Sequence, residues 1–197
     1  MNKTHRQLQK EQTRNKLLEV ALIEFGKRGI MATRMSDIAE AAGVSHGTVF
    51  AHFASQELLI TAVIEETGKR MASRIHELAE EDGGIREVLA AHLTGIMEFE
   101  TFYARLVIEA RFLPPGARRT LVTIQSAISF HISQSAECGM NDGTITRMPI
   151  HLLFNTWIGL INYYLFNGDL FAPNGSVIKR YGNDLIDHYM TLIALEK

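Results

Sequence analysis

The chain has 197 residues, 46% of them hydrophobic, which excludes wholesale disorder and permits either one large domain or a small domain followed by a larger one. The single cysteine, Cys138, excludes an intramolecular disulfide, and 4 prolines in a chain rich in leucine, alanine, glutamate and isoleucine predict an all-α protein. The net charge of −2 argues against bulk attraction to nucleic acid, but residues 1–34 hold eight Lys and Arg against Glu11, Glu19 and Glu24, a local +5 that leaves −7 for the remainder. A basic segment on an otherwise acidic chain suits a local phosphate-binding surface, and it also suits a solvated helix face.

In chain order, the polar start Met-Asn-Lys-Thr-His-Arg-Gln lacks the apolar centre of a secretory signal. A first helix is expected over Lys10–Arg28, with Leu17, Leu18, Ala21, Leu22 and Phe25 as one apolar stripe and Gly29 as its stop. Thr33 to Ala42 reads as the second helix, with Thr33 able to cap it and Met35, Ile38, Ala39 and Ala42 facing inward. Gly43 stands four residues after Ala39, where the helix must stop and the backbone needs positive φ. Val44 would tuck under the turn, Ser45 would cap a third helix over His46–His52, and Val49 would face back into the shared core. Two short helices joined by so tight a turn form the helix-turn-helix pattern.

Ser55 then caps a fourth helix that runs unbroken from Gln56 past Gly68 to about Glu80, a stiff connector to the C-terminal part of the chain. Ile85–Met97 and Phe99–Phe112 are two further helices with a weak boundary, and Leu113-Pro114-Pro115-Gly116 is a strong break. Ala117–Glu137 is a long helix, Cys138–Gly143 a loop, Met148–Phe166 an apolar helix, and Ser176–Leu195 the last helix. The apolar run Ile150–Phe166 contains His151, Asn155 and Asn162 and falls short of the roughly 20 residues of a membrane span. A buried helix, no membrane partner and a cytoplasmic location are therefore expected.

The chemistry of the third helix is set by its exposed positions, His46, Gly47, Thr48, Ala51 and His52. A major groove about 12 Å wide admits one helix. Thr48 can donate or accept at a base edge and offers its methyl to thymine, His46 and His52 reach bases or phosphates, and Gly47 allows close backbone approach. The amides opening the second helix, beside Thr33 and Arg34, suit a phosphate. The plainer reading of the two histidines is a surface side chain and a core-edge side chain.

The string Phe25-Gly-Lys-Arg-Gly29, Ala32-Thr33, Asp37-Ile-Ala-Glu-Ala-Ala-Gly-Val-Ser45, Gly47-Thr-Val-Phe-Ala-His-Phe53 and Ser55-Gln-Glu-Leu-Leu59 resembles the TetR family of bacterial transcriptional repressors. The resemblance is detailed over about residues 10–64 and rests on length and helix pattern beyond them. It implies a DNA-binding helix-turn-helix domain with a basic N-terminal arm over residues 1–54 and a helical ligand-binding and dimerisation domain over residues 55–197. It implies a homodimer on palindromic operator DNA, released by a small-molecule effector, with DNA contacts from Arg14, Thr33, Arg34, Ser45, His46, Gly47, Thr48, Phe50, His52 and Gln56. Two positions depart from the family pattern. Phe50 stands where tyrosine is usual and Gln56 where lysine is usual, so a hydroxyl donor and a charge that serve phosphates are missing. Arg6, Lys10 and Arg14 are available to compensate.

The C-terminal part supports dimerisation on its own terms, since Ile150, Leu153, Phe154, Trp157, Ile158 and Ile161 cover more than one face of a helix, and Leu185, Ile186, Tyr189, Leu192 and Ile193 do so in part. Two such helices per subunit make a four-helix interface, or else they are central core helices. For the effector, Phe102, Phe130, His131, Phe154, Trp157 and Asn162 are the candidate lining, although aromatics at helical spacing also serve as core. No phosphate-binding glycine loop, metal-spaced Cys/His cluster or nucleophile elbow is present, so neither an enzyme nor a cofactor or metal site is expected. The alternative from another class is a helical ligand-binding or scaffold protein that has lost tight DNA binding.

Overall fold

The computed structural model describes residues 4–78 and 83–195. Helix α1 spans His5–Arg28, five residues longer at its start than its apolar stripe predicts. The cause is a reciprocal cap: Gln7 N donates to Thr4 Oγ1 at 3.4 Å, and Thr4 N donates to Gln7 Oε1 at 2.8 Å. Arg6 and Lys10 therefore stand on a helix, not in a loose arm, while Lys3 lies outside the described residues. Gly29 ends α1 at φ 100°, a backbone conformation that a side chain would strain.

Helices α2 (Met35–Ala42) and α3 (His46–His52) come next, joined through Gly43 in the left-handed conformation at φ 64°. Thr33 does not cap α2. Its hydroxyl is fully buried and donates to Gly29 O at 2.7 Å, and Arg34 takes the capping position, its N–H donating to Asp37 Oδ2 at 2.8 Å. Helix α4 spans Gln56–Leu78, with Ser55 Oγ accepting from Leu58 N at 3.2 Å; the expected continuation to about residue 80 lies outside the described residues. Helices α5 (Ile85–Glu98) and α6 (Glu100–Glu109) are separated by a bend at Phe99 alone.

Helix α7 runs from Pro115 to Asp142, so the segment expected as a loop at 138–143 is helical up to its last residue. Gly143 ends it at φ 78°, and the chain doubles back so closely that Thr144 N and Ile145 N both donate to Gly139 O, at 2.9 and 3.0 Å. The glycine at 139 admits that return, because a Cβ there would press on the Ile145 side chain. Helices α8 (Ile150–Phe166), α9 (Gly168–Phe171) and α10 (Val177–Ile193) complete the chain. Among the described residues no single helix is long and apolar enough to cross a membrane.

Two apolar cores form. The first joins Leu17, Ala21 and Phe25 of α1 with Ile38, Val49 and the α4 residues Leu59, Ile60 and Val63, and it is sealed from below by Phe102 and Leu106 of α6 and Leu121 of α7. The second gathers Met71 and Ile75 of α4 with Leu89, Ile96, Ile132, Trp157, Ile161, Ile186 and Tyr189. Each large side chain so buried contributes about 1.5–3 kcal/mol. Helix α4 thus belongs to both cores, its first half to one and its second half to the other.

Polar bonds cross between the two layers at defined points. Glu109 of α6 accepts from Ile30 N at 3.1 Å and Met31 N at 2.8 Å, holding the turn between α1 and α2. Arg105 Nε donates to Gly26 O at 3.3 Å near the end of α1. Arg70 of α4 pairs with Glu19 of α1 and with Glu66, and it lies over the Phe99 ring.

Candidate nucleic-acid interface

The recognition element is built from α3 and the helices that hold it. Val49, fully buried, pins α3 to the first core and turns the opposite side outward. Ser45 Oγ accepts from Thr48 N at 3.1 Å and also shares a 2.8 Å hydroxyl contact with Thr48 Oγ1, so the two hydroxyls at the tip of α3 are pre-oriented by one another. His46, Gly47, Phe50 and Ala51 are exposed, and Thr48 and His52 are half-buried. The His46 ring leans on the Phe50 ring at 4.8 Å, and Phe50 is 42% exposed, a large apolar ring on the outside of the protein.

Cations from α1 border this surface. Burial lowers the pKa of His52 first, and the charges of Lys10 and Arg14 lower it further. The Arg14 guanidinium sits 5.2 Å from the centre of the Phe53 ring in a cation–π contact, and among the described residues no carboxylate pairs with it. The His52 Nδ1 is buried with no hydrogen-bond partner among the described residues. Arg34 stands exposed at the opening of α2.

The expected DNA-contacting residues separate into two groups. Arg14, Arg34, Ser45, His46, Gly47 and Phe50 are exposed and Thr48 and His52 half-buried. Thr33 and Gln56 do not present free groups. Thr33 is buried with its hydroxyl turned to Gly29, and Gln56 Nε2 donates to Thr33 O at 2.8 Å, so the amide ties the start of α4 to the turn before α2.

The six expected effector-lining residues are not brought together. Phe102 packs in the first core, 6.4 Å from the Phe25 ring. Trp157 is buried at 0% exposure, its Nε1 donating to His92 Nδ1 at 3.1 Å and its ring 5.1 Å from Tyr189. Phe130 is 64% exposed. Phe154 packs against the second core, and Asn162 is half-buried on α8 with its Oδ1 unpartnered. Phe102 borders a cavity of about 450 Å³ between the end of α1 and the start of α6, and His131 lines a separate groove of about 590 Å³ between α4 and α7. Its other walls are Thr61, Glu65, Gly68, Lys69, Ala72 and Ile75 on α4 and residues from Gly116 to Ile128 on α7. Sequence reasoning reached this groove only through His131, because its walls are mostly small or β-branched. The signal that points to it is Gly68, a helix-interior glycine at which a Cβ would overlap the Ile124 side chain.

Among the described residues no group of three or more His, Cys, Asp or Glu is placed to hold a metal ion.

Comparison with known proteins agrees with this geometry. Residues 17–63, the stretch that builds the first core, match the family model described as "Bacterial regulatory proteins, tetR family". The chain is 31% identical over 185 residues to the HTH-type transcriptional repressor KstR2 of Rhodococcus jostii, covering 88% of this chain and 89% of that protein. A transcriptional repressor of Mycobacterium tuberculosis is 34% identical over 73 residues, 37% of this chain and 39% of its own length, so that match spans well under half of the relative. Among solved structures, KstR2 of Mycobacterium tuberculosis superposes with a TM-score of 0.73 at 19% identity over 93% of this chain and 95% of that one. FadR of Bacillus subtilis, solved in complex with stearoyl-CoA, gives 0.76 at 17% identity over 89% and 97%. At such identities these structures share the fold.

Proposed function

Because this chain belongs to the tetR family of bacterial regulatory proteins, we propose that it is a ligand-responsive homodimeric repressor that sets α3 into the major groove of a palindromic operator. One observation carries the reading. The exposed side of α3 offers Thr48, His46 and Gly47 to base edges, and Lys10, Arg14 and Arg34 flank it with cations for the phosphates. Two such helices related by a two-fold axis would meet half-sites about one helical turn apart.

Residues 1–54 carry DNA binding in this scheme and residues 55–197 carry effector binding and dimerisation, with no catalytic step assigned to either. The dimer uses the outer side of α8, where Leu152, Tyr163 and Phe166 are exposed around Gly159, together with exposed Leu192 of α10. Trp157 and Ile161 are fully buried and serve their own subunit's core instead. The effector occupies the groove between α4 and α7, as the stearoyl-CoA complex of the Bacillus relative makes reasonable for the fold. The site of action is the cytoplasm, where the operator is.

The test is a fluorescence anisotropy titration against the DNA flanking the protein's own gene, repeated over a salt series. Saturable binding with a steep negative salt slope and at least hundredfold preference over random DNA supports the reading. Equal, weak binding to both duplexes supports the alternative of a helical ligand-binding or scaffold protein, which the inward commitment of Gln56 and the missing hydroxyl of Phe50 would favour.

A further inference from the structure

The walls of the α4/α7 groove are chemically lopsided. Gly116 meets Glu57 and Thr61, and Gly68 meets Ile124, so the two helices run in the same direction along the groove. Its early half carries Thr61, Glu65, Lys69, Arg119, Thr120 and Thr123. Its late half is walled by Ala72, Ile75, Ile124, Ala127 and Ile128, with His131 at the far end. From Thr61 to Ile75 the groove follows α4 for roughly 21 Å at the helical rise per residue.

The charges at the polar half are uncommitted. Among the described residues neither the Lys69 ammonium nor the Arg119 guanidinium has a carboxylate within salt-bridge reach, although Arg70, Arg74 and Arg86 are each paired. These two cations face Glu65, and the Glu57 carboxylate at the same end is engaged by Gly116 N, which donates to its Oε1 at 2.9 Å. A neutral chain would leave both cations unused. A carboxylate would be received by both, with the Thr120 hydroxyl as a further donor, since the Thr61 and Thr123 hydroxyls already donate to Glu57 O and Arg119 O.

We propose that this groove takes a long-chain aliphatic carboxylate, its head at Lys69 and Arg119 and its tail along Ala72, Ile75, Ala127 and Ile128. The inference rests on the reading of the protein as a ligand-responsive regulator and specifies the chemistry of the effector. Arg119 supplies planar bidentate recognition and Lys69 a mobile point charge, so the head is fixed mainly by the arginine. The apolar wall supplies affinity that grows with chain length and is indifferent to the head group.

The experiment uses the full chain and three probes with one tail: decanoate, decanol and decyltrimethylammonium, each below its micelle concentration, titrated by calorimetry. Decanoate is expected to bind at least tenfold more tightly than decanol, and the ammonium more weakly than either. Arg119→Gln with Lys69→Gln should remove the preference for the acid while leaving decanol binding within about twofold. Ala127→Trp, which fills the tail half from a partly solvent-facing position, should weaken all three probes while the helical circular dichroism is retained. Equal binding of the three probes, no binding of any, or an acid preference that survives the double substitution overturns the proposal. Operator anisotropy on the same preparations separates the two levels: specific DNA binding that persists without a decanoate response sinks the effector class alone, whereas absence of specific DNA binding sinks the regulator reading.

Discussion

Gln56 donates from Nε2 to the main-chain carbonyl of Thr33 at 2.8 Å, so the first residue of α4 is bonded to the turn that precedes α2. The bond makes Gln56 a positioning residue for the reading helix. Gln56→Ala should cost about 1 kcal/mol in stability and weaken operator and random DNA alike, since no base contact is touched. Denaturant titration and anisotropy on the same variant check both parts, and an operator-only loss would contradict the assignment.

Phe50 is the complementary case. Its ring is exposed beside His46, so a hydroxyl added at its edge faces outward and needs no buried partner. Phe50→Tyr should tighten binding to specific and random duplexes by similar factors without a change in fold stability beyond about 0.5 kcal/mol. Unchanged affinity for random DNA would show that position 50 lies off the phosphate track.

Base reading belongs to the tip of α3. Thr48→Ala should shift base preference at one operator position by roughly 1–3 kcal/mol, whereas Arg14→Ala or Arg34→Ala should lower the salt slope by about one unit for each phosphate no longer neutralised. Alanine at 46, 48 and 52 together should abolish specificity, and intact specific binding by that triple variant would move the recognition surface elsewhere.

Glu109 holds two amides of the α1–α2 turn with one carboxylate. Glu109→Ala leaves both without that acceptor and should destabilise by about 1.5–3 kcal/mol, the range for hydrogen bonds to a charged group. Glu109→Gln keeps one acceptor oxygen and should recover part of the loss. Thermal melts of the three proteins decide it, and equal melting of the alanine variant and the parent would mean that the interaction carries no net stability.

Burial pushes the pKa of His92 down to about 4, well below its ordinary 6.5, and its Nδ1 accepts from Trp157, so the proton of the neutral ring sits on Nε2. The unfolded chain protonates this residue first as pH falls. Its contribution is therefore complete above about pH 6.5 and declines progressively down to about pH 4, by roughly 2 kcal/mol at pH 5. His92→Gln retains an acceptor for Trp157 and should flatten this part of the stability profile. An equally steep decline in the variant would assign the acid sensitivity to other groups.

The helix-turn-helix was legible because each of its positions is set by local rules: Gly43 at positive φ, Ser45 at the cap, Val49 inward. The start of α1 was legible too, in the Thr4–Gln7 spacing, but the apolar stripe drew the reading to Lys10. Gly139 and Gly143 look alike in sequence, yet only Gly143 ends α7, because Gly139 is required by the returning chain, a tertiary cause. The expected effector lining is dispersed for a similar reason. Phe102 and Trp157 are large and apolar and so fill cores, whereas a groove is left where side chains are small, and no periodicity records which helices will face one another.

Gly68 lies where the Ile124 side chain crosses α4, and the crossing separates the half of that helix in the first core from the half in the second. Such a crossing is a fulcrum. Gln56 lies twelve residues to one side and Ile75 seven to the other, arms of roughly 18 and 11 Å at the helical rise per residue. A rigid α4 tipped about that point magnifies displacement by the ratio of the arms, roughly 1.7. If α4 tips as one body, a molecule that lifts its Ile75 end by about one ångström swings the Gln56 end, and the turn bonded to it through Thr33, by more than that in the opposite sense.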